Sequence, residues 1–292
     1  MSFVAGPVTV RTPASSANLG PGFDALGLAL SLHDEITAQV LDTPGLDIEV
    51  SGEGAQDVPR TGDHLVVTAM TAVFDLLGLR PPGLRLACVN AIPHGRGLGS
   101  SAAAIVGGIV LARALLDDGQ DRLDDRTAYQ LAADLEGHPD NVAAAMFGGL
   151  TIAWVDGASA EVQRLDTGVQ VTVFVPPDAV STQKARGLLP ETVPHRDAAV
   201  NAGRAALLVA ALTTAPQQLI WATEDRIHQG YRSEAMPESY KLLRQLRVEG
   251  IPTIISGAGP TVLSFARGVA DRAPEGWTVH ELEVDARGAQ TV

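Results

Sequence analysis

Three short segments hold the side chains whose types and spacing suit chemistry. Pro93–His94–Gly95–Arg96–Gly97–Leu98–Gly99–Ser100–Ser101–Ala102–Ala103 is a glycine-dense turn running into small apolar residues. Such a turn ahead of a helix exposes backbone N–H groups where the helix dipole also favours an anion. Ser100 and Ser101 add hydroxyls where a phosphate or its magnesium would lie. The chain's two lysines, Lys184 and Lys241, do not follow glycine, so no Walker P-loop is present. In Ser15–Ser16–Ala17–Asn18–Leu19–Gly20–Pro21–Gly22–Phe23–Asp24, Asn18 offers a donor and an acceptor, and Asp24 a carboxylate suited to an ammonium group. The third segment is Glu136–Gly137–His138–Pro139–Asp140–Asn141.

The elements that must position these groups follow from periodicity and punctuation. Val8–Arg11 reads as a strand, followed by a turn-rich stretch from Pro13 to Gly22. Residues 25–32 and 36–40 read as one long strand or two, and 46–50 as another. Residues 65–79 have helical spacing, stopped by Pro81–Pro82. A strand at 84–90 feeds the glycine turn, and 102–116 is a run of helical length. Residues 126–136 form a helix ended by Gly137; Pro139 opens the next, which closes at Gly148–Gly149 before a strand at 150–154. The polar, aperiodic stretch 156–166 marks a domain boundary. Beyond it lie a strand (169–175), helices (182–189, 195–212 and 237–248), two strands (251–256 and 261–265) around Gly257–Ala258–Gly259–Pro260, and a last strand at 277–284. Strands and helices do not alternate regularly, so an α+β class is expected.

Gly20–Pro21–Gly22–Phe23–Asp24–Ala25 matches GxGxxA, yet it is not read as a dinucleotide fingerprint. About a dozen residues separate it from the preceding strand, and Pro21 removes an amide from the stretch that should cradle pyrophosphate.

The chain has 292 residues and a net charge of −13, which argues against a nucleic-acid partner. Aromatic residues make up 4%, so the core must be aliphatic. The single cysteine, Cys88, falls in a strand-like run and reads as buried and inert. The N-terminus has no signal pattern, and the longest apolar candidate, 102–116, is interrupted by Arg113, so neither a membrane span nor export is expected.

The string P-x-x-x-G-L-G-S-S-A at residues 93–102 resembles the phosphate-binding motif of the GHMP small-molecule kinases. The S-A-N-L-G-P-G-F-D string at 16–24, the segment 136–143 with Phe147–Gly148–Gly149, and Ser256–Gly257–Ala258–Gly259–Pro260–Thr261 resemble the homoserine kinases of that family, in the same chain order. The resemblance implies a two-domain α+β GHMP kinase fold. Residues 1–160 would be ribosomal-protein-S5-like and bind ATP, and 161–292 ferredoxin-like, with the site in the cleft between them. It implies ATP and Mg²⁺ as cofactors, L-homoserine as substrate, a cytoplasmic location and a homodimer. Carried over onto this sequence, residues 93–103 would hold the triphosphate, and Ser101 and Glu136 would ligate Mg²⁺. Asp24 would pair with the substrate ammonium, Arg186 and Arg232 with its carboxylate, and Asn18, His138 and Asn141 would hydrogen-bond around it. Asn141, Thr182 and Arg186 are the expected catalytic residues, and Gly257, Ala258 and Gly259 form a third glycine motif. Asn141 occupies the register where related kinases carry a catalytic aspartate, which implies orientation rather than general-base catalysis. Asp140, its neighbour in a helix, is expected to point about 100° away. His64 stands where many members have asparagine and is left outside the site. A mevalonate-type kinase and a non-catalytic ligand-binding regulator are the alternatives.

Overall fold

The computed structural model describes residues 3–292; residues 1 and 2, counted in the expected first domain, lie outside it. Among the described residues, strands β1 (Val8–Ala17), β2 (Leu26–Leu41), β3 (Gly45–Gly52), β4 (Gly83–Asn90), β5 (Leu150–Asp156) and β6 (Ser159–Leu165) form one sheet. Its order is β3-β4-β2-β1, with β5 and β6 continuing from the other end of β2. All pairs are antiparallel except β3–β4. The helices on this sheet are α1 (Leu65–Leu76), α2 (Ser100–Ala114), the one-turn α3 (Gly119–Arg122), α4 (Asp125–Glu136) and α5 (Pro139–Phe147). Their apolar faces close on Val10, Ile36, Ala38 and Leu86 in a core that is almost wholly aliphatic.

A second sheet holds β7 (Gln170–Val175), β8 (Thr253–Ile255), β9 (Val262–Ser264) and β10 (Thr278–Glu283) in the order β10-β7-β9-β8, all antiparallel. Counted among themselves, the strands lie 4-1-3-2, the order of a ferredoxin-like sheet. The connection between the third and fourth strands has shrunk to a 3₁₀ turn at Ala270–Arg272. Helices α6 (Thr182–Gly187), α7 (His195–Thr213), the one-turn α8 (Leu219–Ala222) and α9 (Pro237–Val248) accompany it. Period-two alternation assigns the faces. Val171, Val173 and Val175 join Leu26, Leu28 and Leu30 of β2 and Leu208 of α7, whereas Phe174 faces Leu242, Leu243 and Leu246 of α9. The two sheets thus share one apolar seam.

Several expected boundaries move. β1 continues through Pro13 to Ala17 instead of breaking into a turn, because Pro13 lies at a register shift against β2 where a missing ladder donor is tolerated. Residues 26–41 are one strand. The stretch expected to separate two domains is β6, which hydrogen-bonds β5 along 159–165, so the sheets change over between Leu165 and Gln170 rather than at residue 160. The chain does not end on β10: β11 (Gln290–Thr291) returns to pair with β1. Cys88 is buried in β4, where burial and the Asp34 charge push its thiol up to about 12. No described helix is long and apolar enough to cross a membrane.

The loops at one end of both sheets are laced together. The Ser256 hydroxyl donates to the Gly97 carbonyl at 2.6 Å and is hydrogen-bonded to the Ser16 hydroxyl at 2.8 Å. Gly257 N donates to Ala17 O, Thr261 N to Arg96 O, and Ser15 N to Leu98 O. Ser256→Ala removes both buried side-chain bonds and leaves the Gly97 carbonyl without that donor. We expect a loss of about 1–3 kcal/mol in urea unfolding followed by circular dichroism. An unchanged midpoint would show that the backbone contacts alone hold the junction.

Candidate functional site

Each functional segment sits where a local device ends one element and aims the next. Asp124 caps α4 by accepting from Thr127 N at 2.7 Å, and Gly137 ends that helix in the left-handed region at φ 76°. Pro139 then opens α5, so Glu136, His138, Asp140 and Asn141 cluster at one corner. Gly27 lets α5 settle on β2, since a Cβ there would lie 2.5 Å from the Asp140 carbonyl. Gly99, at φ 71°, starts α2 with no side-chain cap, which leaves the first-turn amides of Ser100 and Ser101 facing outward from the glycine turn. After β1 the chain holds three non-glycine residues at positive φ: Asn18 (67°), Leu19 (47°) and Asp24 (55°). Such backbone persists only where its surroundings hold it. Here Asn18 Oδ1 accepts from Asp24 N at 2.9 Å, and the buried Asn201 donates to Pro21 O at 3.0 Å.

These segments enclose a cavity of about 220 Å³. Gly95, Gly97, Gly99, Ser100 and Ser101 form one wall, and Glu136, His138, Asp140 and Asn141 the next. Asn18 and Phe23 come from the N-terminal loop, Thr182 and Arg186 from one face of α6, and Arg232, Gly257 and Ala258 from the second half of the chain. Apart from Asp24, the expected substrate, catalytic and metal-binding residues meet here. Asp24 joins them at the edge through a two-bond pair with Arg186, at 2.5 and 3.1 Å. Within the 93–103 stretch, Pro93, Leu98, Ala102 and Ala103 are buried in the core, so only their backbone is available to a ligand. Arg96 turns away to the carbonyls of His94 and Pro177. Gly259 packs its α-carbon against Met236 rather than lining the cavity.

The electrostatics are those of a site with partners to gain. Arg232 is 1% exposed; its Nη1 donates to Gly257 O at 3.2 Å, while Nε and Nη2 hydrogen-bond no protein atom. Burial is the main force lowering its proton affinity. Ser101 donates to Glu136 Oε1 at 2.8 Å, and burial still holds the Glu136 carboxyl above its ordinary range. A half-buried acid of this kind gains from a cation.

Phe23, His228 and Asp225 were missed by sequence reasoning. The Phe23 ring stacks on His228 at 4.3 Å and lies 5.0 Å and 5.6 Å from the guanidinium carbons of Arg186 and Arg232. Asp225 in turn fixes His228 by accepting from its backbone N–H at 3.2 Å and bonding its ring Nδ1 at 2.8 Å. The one available signal was Phe23 itself, an aromatic residue between Gly22 and Asp24.

One expectation is corrected, and His64 has a cavity of its own. Asp140 faces the cavity despite its 100° offset from Asn141, because α5 points its N-terminal end, not its flank, at the site. His64, left out, lines a second and more apolar cavity of about 260 Å³ that shares Ser100 and Ser101 with the first. Its Nδ1 is buried and hydrogen-bonds no protein atom.

Residues 64–149 match the family model of the GHMP kinases N-terminal domain. The chain is 54% identical over 298 residues to the homoserine kinase of Streptomyces avermitilis, covering 100% of this chain and 97% of that protein. It is 50% identical to the homoserine kinase of Clavibacter michiganensis subsp. michiganensis, covering 97% and 93%. The crystal structure of homoserine kinase from Cytophaga hutchinsonii matches with a TM-score of 0.86 at 24% identity, covering 100% and 99%. With its glycine turn and charged cavity on this α+β frame, the chain belongs to the GHMP kinase family. Within that family its whole-length similarity is to the homoserine kinases.

Arg232 separates a structural from a ligand-binding role. Replacing a buried, half-partnered cation by an apolar side chain of similar length is often neutral or stabilising. Arg232→Met should leave the melting temperature of the free protein unchanged or up to roughly 4 °C higher. A clear drop would make Arg232 a structural strut instead.

Proposed function

We propose that the protein transfers the γ-phosphoryl group of ATP to the side-chain hydroxyl of L-homoserine, giving O-phospho-L-homoserine on the route to threonine. The observation that carries this reading is the charge pattern of the cavity beneath the glycine turn. At its edge the Asp24 carboxylate stands against two guanidinium groups, Arg186 and Arg232, next to the Ser101–Glu136 pair. That is the complement of a zwitterion held beside a triphosphate.

The apolar cavity beside α2 suits a purine ring, and the unpartnered His64 Nδ1 gives it one hydrogen-bonding edge. The amides of the glycine turn and of the first turn of α2 suit the phosphates. Among the described residues no group of three or more His, Cys, Asp or Glu side chains is arranged for a metal. Two protein oxygens, from Ser101 and Glu136, nevertheless fit Mg²⁺, which keeps most of its shell as water and phosphate oxygen. When bound, the ion neutralises charge on the phosphates as the phosphoryl group transfers.

In the free site Asp24 and Arg186 satisfy each other. A zwitterionic substrate exchanges that contact for two: its ammonium takes Asp24, and its carboxylate takes Arg186 together with the unpaired Nε and Nη2 of Arg232. The guanidinium fork matches a planar carboxylate. Phe23 fixes the two arginines from one side. Anchored at that end, the substrate directs its hydroxyl toward the glycine turn, where Asn141 and Thr182 orient it. An amide cannot remove the hydroxyl proton, so Asn141 acts by orientation and the proton leaves with the transferred phosphoryl oxygens. A mevalonate-type substrate lacks the ammonium that Asp24 requires, and a non-catalytic binder has no use for the Ser101–Glu136 pair. We further propose a cytoplasmic homodimer without nucleic-acid or membrane partners.

The test is ADP release with Mg-ATP against L-homoserine, L-serine, L-threonine, mevalonate and galactose. Turnover should be confined mainly to L-homoserine. Glu136→Gln should lower kcat about 100-fold, and Asp24→Asn should raise KM for L-homoserine about 10-fold while leaving that for ATP unchanged. Turnover on mevalonate or a sugar would overturn the substrate. ATP binding without turnover would favour a regulator.

A further inference from the structure

Asp140 has no part in the scheme above, yet its surroundings are those of a ligand-binding acid. It is 1% exposed, lines the cavity with Asn141 and Arg186, and its Oδ1 hydrogen-bonds no protein atom. A structural carboxylate this deeply buried is normally satisfied by its own protein, because an unpaired buried acceptor is costly. Burial, with the Asp24 charge adding to it, pushes the Asp140 carboxyl up to about 7; its own amide, that of Asn141 and the Arg186 charge act against the rise. Tyr129 faces it from α4, and Glu136, His138 and Arg232 share the cavity.

The charges identify what is missing. Asp24 is neutralised by Arg186 only while the site is free. Once a substrate carboxylate engages Arg186 and Arg232, Asp24 and Asp140 are left in each other's field. One ammonium group answers both. We propose that Asp140 is a second ammonium-binding carboxylate, its unpartnered Oδ1 accepting an N–H from the substrate's α-ammonium alongside Asp24. The inference rests on the amino-acid substrate proposed above and deepens it. Asp140 makes the cavity selective for an amine over the matching hydroxy acid, since the deaminated analogue leaves the buried Asp140 carboxylate, beside the exposed Asp24, unanswered.

The test compares wild type and Asp140→Asn on L-homoserine and on 4-hydroxybutanoate, the same molecule without its amine, used as substrate or as competitive inhibitor. Wild-type turnover of L-homoserine must come first; its failure would sink the substrate assignment and not this residue's role within it. Asp140→Asn should raise KM for L-homoserine about 10- to 100-fold with kcat within roughly threefold. The constant for 4-hydroxybutanoate should stay level or improve. Equal losses on both ligands would overturn the proposal, as would a collapse of kcat at constant KM, which would make Asp140 a proton acceptor.

Two readings guard against a folding artefact. The carboxyl is raised in the folded protein, so it costs stability increasingly as pH rises from the unfolded value toward 7. Asp140→Asn should therefore raise the melting temperature more at pH 8 than at pH 5. In the wild type, calorimetric titration of L-homoserine at pH 7 in two buffers should release roughly half a proton per site, and 4-hydroxybutanoate none. No release with L-homoserine would overturn the assignment.

Discussion

Everything in the site depends on the contact between backbones at the Ser256 hydroxyl. It reaches the Gly97 carbonyl and the Ser16 hydroxyl together, so the end of β1, the glycine turn and the β8–β9 loop meet at one buried point. Its single proton goes to the carbonyl, which can only accept, so Ser16 is the donor to Ser256. Such an approach requires glycine: a Cβ on Gly97 would sit 2.3 Å from the Ser256 carbonyl. The same residue holds φ at 75°, a conformation open to glycine at little cost. The turn that presents amides to an anion is therefore also the turn that fastens one sheet's loops to the other's.

On that junction sit charges that the protein only half satisfies. Arg232 spends one of its nitrogens on Gly257 O, Glu136 has one hydroxyl, and Asp24 and Arg186 have only each other. The unpartnered nitrogens of Arg232 and the raised Glu136 carboxyl destabilise the free protein, and the strained backbone at Asn18, Leu19 and Asp24 adds to the cost. Groups already oriented and desolvated need no reorganisation when a ligand arrives. This also reconciles a chain of net charge −13 with an anionic ligand. Locally the site offers two guanidinium groups over one aromatic ring, and helix amides, whatever the distant surface carries.

What could be read from the sequence follows from the range of the interactions. The glycine turn, the Gly137–Pro139 corner and the Thr182–Arg186 face are set by neighbours in the chain, and each is legible. The α4–α5 corner is legible because Gly137 and Pro139 are local punctuation. β6 was not: Ser159–Leu165 is polar and aperiodic, and it is a strand because β5 offers it a ladder. The pairing of β11 with β1 joins residues about 280 positions apart, and local pattern cannot report it. The His228 stack on Phe23 has the same character. A family resemblance brought Arg232 to the site, where composition alone reads a surface arginine; what the structure adds is that it is buried and half unpartnered.

Asp140 was discounted for a reason that fails in an instructive way. The 100° rule holds for a helix seen from its flank, where only one stripe faces a neighbour. Seen end-on, the side chains of the first turn splay around the axis and tilt toward the N-terminus, so consecutive residues can line one space. Asp140 and Asn141 do so at the start of α5, and Ser100 and Ser101 at the start of α2. Both helices therefore bring adjacent side chains to the same cavity, with their positive dipole ends toward it, and α2 adds its uncapped amides. Helix ends make a denser site than helix faces, and in this cavity they let two neighbouring residues of one turn, Asn141 and Asp140, line the same space.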